Sequence, residues 1–145
     1  MTDFEPSDVH FEFRVRSSFD QQGIMKTIGA KLTKVIPGEV HIEVPFSIAL
    51  TQQHGYIHAG IITTVVDTAC GYAANTLMPV LSEVLTVEYK INFLSPGKGE
   101  KIIGIGKVVK PGRTLTVCSG EVRACDKNDE KLIATMQATM MAVVK

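Results

Sequence analysis

Asp67 stands inside an apolar run that includes Ile61, Ile62, Val65, Val66, Ala69, Ala73 and Ala74, and any chemistry in this chain centres on it. A carboxylate in such surroundings is costly unless it is paired or used. Nine positions earlier is His58, near the end of the segment Gln52-Gln53-His54-Gly55-Tyr56-Ile57-His58-Ala59-Gly60. The apolar spacing, with no proline before Pro79, predicts one long, largely buried helix from His58 to about Leu77. The start of such a helix presents free N–H groups and the positive end of its dipole, so the amides around Ala59 and Gly60 can stabilise a developing oxyanion. Nine helical steps amount to about 13 Å along the axis and half a turn in azimuth. His58 and Asp67 therefore leave opposite faces of one helix. Two copies packed antiparallel across a symmetric interface would bring the histidine of one beside the carboxylate of the other, so the spacing predicts a dimer.

The elements that must position these residues fit one domain, 1–145, with 1–28 as an N-terminal helical extension. The segment from Pro6 to about Ile28 is read as helical from Val9 and Phe13, although Phe11 to Val15 also alternates like a strand; Gly29 closes it. Lys31–Ile36 and Glu39–Phe46 read as a hairpin around Pro37-Gly38, with Val40, Ile42, Val44 and Phe46 on one face. After the central helix, Leu85, Val87, Tyr89, Ile91 and Phe93 alternate with Thr86, Glu88, Lys90 and Asn92 as a strand with one apolar face. Lys101–Val109 and Thr114–Ala124 flank the turn Pro111-Gly112, and Lys131–Val143 follows the turn 126–129. This order lacks the βα alternation of a parallel sheet. It predicts an α+β fold in which an antiparallel sheet of about six strands wraps one long central helix.

A chain that is 45% hydrophobic and 21% charged, with zero net charge, is no disordered segment and has no large basic surface for nucleic acid. Asp67 and several polar residues break the longest apolar run short of the roughly 20 residues a membrane span needs. Three cysteines, Cys70, Cys118 and Cys125, at spacings that suit no disulfide framework, and an acidic segment from Met1 to Pro6, point to a reduced, cytoplasmic protein. No spacing of His, Cys and Asp suggests a metal, and no glycine-rich loop has the strand-then-helix context for phosphate, so no metal or tightly bound cofactor is expected.

Three stretches resemble the hotdog-fold acyl-CoA thioesterases of the phenylacetate-pathway type. Gln52-x-x-Gly55-x-x-His58-Ala59-Gly60 followed by Asp67 is similar to that family's motif, as are Leu85 to Leu94 ending in Ser95-Pro96 and Val109 to Leu115. The resemblance runs from about Gly29 to Val143 and departs at Ala59, where the family usually has glycine. It implies a hotdog fold and hydrolysis of an acyl-CoA, with coenzyme A as part of the substrate and no other cofactor. The implied assembly is a homodimer with shared sites, commonly a homotetramer. Ala59 N–H is the implied oxyanion donor, and alanine keeps that N–H. Asp67 of the partner is implied as nucleophile or general base, Gln52 as holding the water or the carbonyl, and His58 as bonding the thioester oxygen or fixing the loop. Thr86 stands where relatives position water, yet alternation puts it on the polar face of its strand. Gly60 belongs to the same amide cluster. Lys110 and Arg113 suit CoA phosphates or are ordinary surface charges, and Tyr72, Asn75, Leu77 and Met78 bear on pocket depth.

Cys70 lies three residues past Asp67, but no cation is placed to lower its pKa, so it reads as a small buried hydrophobe. The rival functions are a hotdog dehydratase or hydratase acting on acyl-thioesters and a non-catalytic acyl-CoA binding module. Gln52 with the oxyanion amide suits hydrolysis better than the first, and Asp67 argues against the second, because binding alone needs no buried carboxylate.

Overall fold

A computed structural model describes residues 3–145. The N-terminal segment forms two helices, α1 (Phe11–Gln21) and α2 (Gly23–Thr27), rather than one. The buried face of α1 carries Val15 and Phe19, four residues apart, while Val9 and Phe13, which suggested the helix, are exposed. The hairpin follows as β1 (Lys31–Ile36) and β2 (Glu39–Pro45), turning at Gly38 with φ 76°. Val40, Ile42 and Val44 are buried on one face of β2, as the alternation predicts.

A loop with one 3-10 turn then leads into the central helix α3 (Ala59–Asn75), two residues shorter at its C-terminus than its apolar pattern suggests, with His58 as its N-cap. Four strands complete the chain: β3 (Ser82–Phe93), β4 (Lys101–Lys110), β5 (Leu115–Asp126) and β6 (Asp129–Val144). All six strands form one antiparallel sheet in the order β1-β2-β4-β5-β6-β3. The sheet packs on α3, giving the α+β hotdog architecture with N-terminal helices at its flank.

Helix and sheet approach closely because three strand residues are glycine. A Cβ added at Gly106 would lie 2.3 Å from the Ala69 carbonyl carbon, one at Gly104 2.6 Å from Val65 Cγ1, and one at Gly120 2.5 Å from Val66 Cγ2. The inward face of α3, Val65, Val66, Ala69 and Cys70, is fully buried against this trough.

The C-terminus of α3 is closed by Arg14, whose guanidinium donates to Asn75 Oδ1 at 2.8 Å, to Asn75 O at 3.3 Å and to Met78 O at 3.1 Å, and pairs with Asp8 at 3.1 Å. A cation there satisfies orphan carbonyls and complements the negative end of the dipole.

The last strand in the order, β3, differs from its sequence pattern. Its apolar row is split: Leu85 and Val87 are 56% and 52% exposed, whereas Ile91 further along packs against the core. The register against β6 shifts between Thr86 and Glu88, leaving Val87 as an extra residue. Among the described residues the sheet has no strand beyond β3, so one edge of this twelve-residue strand is unpaired by them.

Gly106→Ala must push helix backbone off the sheet and is expected to cost about 3 kcal/mol or more of unfolding free energy in urea titrations. Gly23→Ala meets nothing within 4 Å of the new methyl, and is expected to be neutral or to stabilise by less than about 1 kcal/mol. Equal effects at the two sites would contradict this account of the packing.

Candidate active site

The first turn of α3 is built by the loop before it. Ile57 bridges to Thr51 and to Gly97, and Ile57 N–H donates to Gly97 O at 2.8 Å, which anchors the approach to His58. Gln52 organises the loop: its Oε1 accepts from His54 N–H at 2.5 Å and Tyr56 N–H at 3.4 Å, and its own N–H donates to Tyr56 O at 2.9 Å. Gly55 takes φ 83° inside this turn, a conformation suited to glycine.

His58 caps the helix, with Nδ1 accepting from Gly60 N–H at 2.8 Å. In the neutral ring this use of the Nδ1 lone pair puts the proton on Nε2, leaving an exposed donor. Ile61 N–H and Ile62 N–H both donate to His58 O. Gly60 N–H is therefore spent on the cap, and among the described residues Ala59 N–H is left without an acceptor. Of the two amides suggested by the sequence, only that of Ala59 is open to a ligand oxygen.

Asp67 is half-buried on the outward face of α3. Burial pushes its carboxyl up from the ordinary range, partly offset by a hydrogen bond from Thr86. Thr86 Oγ1 donates to Asp67 Oδ1 at 2.8 Å within one chain. The polar face on which alternation puts Thr86 therefore reaches the acid without a second chain. The polar row of β3 turns toward α3 here, and the apolar row turns away.

Two clefts divide the candidate residues. A groove of about 630 Å³ is lined by Asp67, Thr86, Gly60 and Tyr72, together with Ser18 and Gln22 from α1 and the α1–α2 junction. A second cleft of about 420 Å³ is lined by Gln52, Ala59, Tyr56, Phe93 and Pro96. The amide donor and the carboxylate thus open into different clefts of one chain.

The remaining sequence candidates are placed as follows. Tyr72 is buried, stacks obliquely on Phe19 with ring centroids 6.1 Å apart, and bonds through its hydroxyl to Ser18 and Gln22. Asn75 does not line the groove, because it is buried and its side-chain carbonyl is taken by Arg14. Lys110 and Arg113 are exposed at the β4–β5 turn, where Arg113 borders a small cleft with Leu77 and Met78 near the C-terminal end of α3, away from Asp67. Burial raises the Cys70 thiol well above its ordinary value, with Cys118 and Asp67 adding to the shift, so Cys70 stays protonated. Ser18, Gln22 and Arg14 carry no sequence signal linking them to α3, since fifty or more positions separate each from its partner there. Among the described residues no group of three or more His, Cys, Asp or Glu could hold a metal, and no helix is long and apolar enough to cross a membrane.

The sequence and the fold are both matched by known proteins. The sequence description of the thioesterase superfamily matches residues 54–131, more than half of the chain, and the chain belongs to that superfamily. A thioesterase family protein from Silicibacter pomeroyi is 50% identical, with 93% of this chain and 99% of that one covered and a TM-score of 0.91. A protein of Halobacterium salinarum provisionally named an esterase is 30% identical over 122 residues, 81% of this chain and 79% of that protein. The E. coli PaaI protein from the phenylacetic acid degradation operon shares the fold at TM-score 0.81, with 18% identity over 92% of this chain and 94% of that one.

The raised pKa of Asp67 has a stability consequence. Because the folded value lies above the unfolded one, the stabilising contribution is present below the unfolded pKa and is lost as pH rises through the folded value. At neutral pH the ionised carboxylate is a net cost. Asp67→Asn is therefore expected to raise the unfolding free energy from urea titration at pH 7.5, by at most about 1 kcal/mol for a half-buried group. The gain should disappear below pH 4, and a mutant less stable than wild type at pH 7.5 would refute the assignment.

Proposed function

We propose that the protein is an acyl-CoA thioesterase of the hotdog class that hydrolyses its substrate to the free acid and coenzyme A in sites shared between two subunits. The observation that carries this reading is the pairing of a half-buried carboxylate of raised pKa, held by Thr86, with an unspent Ala59 N–H at a helix N-terminus. The N–H would bind the thioester oxygen as it gains charge, and the helix dipole would reinforce it. Asp67 would remove a proton from water or attack the carbonyl itself, and Thr86 would hold the carboxylate in place. The Gln52 side-chain NH2, with Oε1 committed to the loop, would bond the water or the carbonyl, and His58 would offer Nε2–H to the same oxygen.

The two-cleft arrangement supports sharing. A second copy laid antiparallel along the exposed β3 edge would bring the Gln52–Ala59 cleft of one subunit toward the Asp67 groove of the other. It would also cover Leu85 and Val87. We assign the CoA phosphates to Lys110 and Arg113, exposed cations that pay little desolvation for an anion. The three free cysteines, all buried, suit a reducing compartment, and we place the protein in the cytoplasm as a homodimer that pairs into a homotetramer.

Free thiol release from a series of acyl-CoA esters tests the activity. Asp67→Ala is expected to lose about a hundredfold to ten-thousandfold in kcat. Ester binding by wild type without thiol release would replace the enzyme with a binding module. Sharing is tested separately by co-expressing Asp67→Ala with Gln52→Ala. Shared sites give each mixed dimer one intact site, so about a quarter of wild-type activity returns if half the dimers are mixed. Sites confined to one chain would return none.

A further inference from the structure

The Asp67 groove has α3 as its floor, β3 along one side, and α1 with α2 along the other. The floor is made of small residues, and its threonines have spent their hydroxyl hydrogens. Thr63 Oγ1 donates to Ala59 O at 2.9 Å, Thr64 Oγ1 to Gly60 O at 2.8 Å and Thr68 Oγ1 to Thr64 O at 2.7 Å. Such bonds back to the preceding turn leave these side chains no hydrogen to donate to a ligand. At Gly71 an added Cβ would meet only Val84 Cγ1, at 3.9 Å, so the floor there is open.

Tyr72 presents a different account of its hydrogens. Its oxygen accepts from Gln22 Nε2 at 2.9 Å and shares a hydrogen bond with Ser18 Oγ at 3.0 Å. Two hydroxyls carry two hydrogens, and their mutual bond uses one of them. Whichever group donates, the pair keeps one O–H for an acceptor, and Gln22 Oε1 has no donor among the described residues. A free donor beside a free acceptor is complementary to an alcohol. Tyr72 lies five residues past Asp67, about 7.5 Å along the helix, the reach of a short acyl chain.

Charge narrows the choice further. The groove is lined by two carboxylates, Asp67 and Glu83, and by no lysine or arginine. Glu83 is held by Lys145 at 2.5 Å, but that cation is not part of the lining. An acyl group ending in a carboxylate would meet like charge at Asp67, with no cation among the lining residues to receive it.

We propose that Ser18, Gln22 and Tyr72 form a specificity subsite that selects acyl groups bearing a neutral hydroxyl at the end remote from the thioester and disfavours those ending in a carboxylate. The inference rests on the thioesterase reading and gives the N-terminal helices, which lie outside the matched residues 54–131, a role in substrate choice. A site that hydrogen-bonds a substrate oxygen discriminates against the analogue lacking it, because its own polar groups are then left unpaired.

The test compares hexanoyl-CoA, 6-hydroxyhexanoyl-CoA and adipoyl-CoA. In wild type the kcat/KM ratio of hydroxyhexanoyl to hexanoyl ester is expected to be about tenfold, with adipoyl at least about tenfold below hexanoyl. Ser18→Ala and Tyr72→Phe should each move the first ratio toward one, and because a ratio is read, partial loss of folded protein cancels. Dissociation constants of the same esters for Asp67→Asn, by calorimetry, read the preference without turnover. A hydroxyl preference in binding with no hydrolysis by wild type would overturn the thioesterase reading and keep the subsite. Hydrolysis with a wild-type ratio near one, or a ratio unchanged in both variants, would overturn the subsite and keep the thioesterase.

Discussion

The rest of the structure depends on how closely α3 lies on the sheet. Gly106 and Gly120 face each other across β4 and β5, with Gly104 two residues along, and together they form a trough without side chains. Helix backbone occupies the space that those side chains would fill. This contact fixes both the height and the rotation of α3. With Val65, Val66, Ala69 and Cys70 locked inward, Gly60, Thr64, Asp67 and Gly71 have to face out. A carboxylate on that face cannot rotate away from its position, and its partial desolvation follows from packing rather than from local sequence.

The two ends of α3 are finished differently. At the C-terminus, Arg14 satisfies the orphan carbonyls and is itself held by Asp8. A backbone bond from His10, joined by the Arg14 guanidinium, keeps the Asp8 carboxyl below its ordinary range despite some desolvation. At the N-terminus the cap is incomplete: His58 takes Gly60 N–H, and Ala59 N–H stays open. The closed end adds stability and the open end is free to bind. A carbonyl oxygen placed at Ala59 therefore meets a donor that has no competing acceptor among the described residues.

Much of this was legible in the sequence. The hairpin around Pro37-Gly38, the helix bearing Asp67 and the four later strands all follow from periodicity and turn residues, which act over a few positions. Where the sequence misled, long-range packing decided. Alternation in β3 marks the apolar positions correctly but misses the extra residue at Val87, so it cannot say that Leu85 faces away from the helix while Ile91 packs against the core. The Thr86–Asp67 bond depends on the same orientation. Asn75 read as a pocket residue until Arg14, sixty-one positions away, claimed its side chain. The wall contributed by Ser18 and Gln22 was invisible for the same reason, since nothing local ties α1 to Tyr72.

The exposed edge of β3 joins assembly to chemistry. A long edge strand with an exposed apolar row is a liability that proteins cover or pair. Thr86 lies on this strand, so whatever covers the edge also lies close to Asp67. Under the shared-site reading the cover is a second copy of the chain, and docking it would remove more water from the carboxylate. Desolvation is already the dominant influence on Asp67 and acts upward on its pKa. Assembly would therefore make the acid a stronger base at the same moment that it supplies the oxyanion donor. On that reading a lone subunit would hold a weaker base with no amide opposite it, and hydrolysis would be tied to the assembled form.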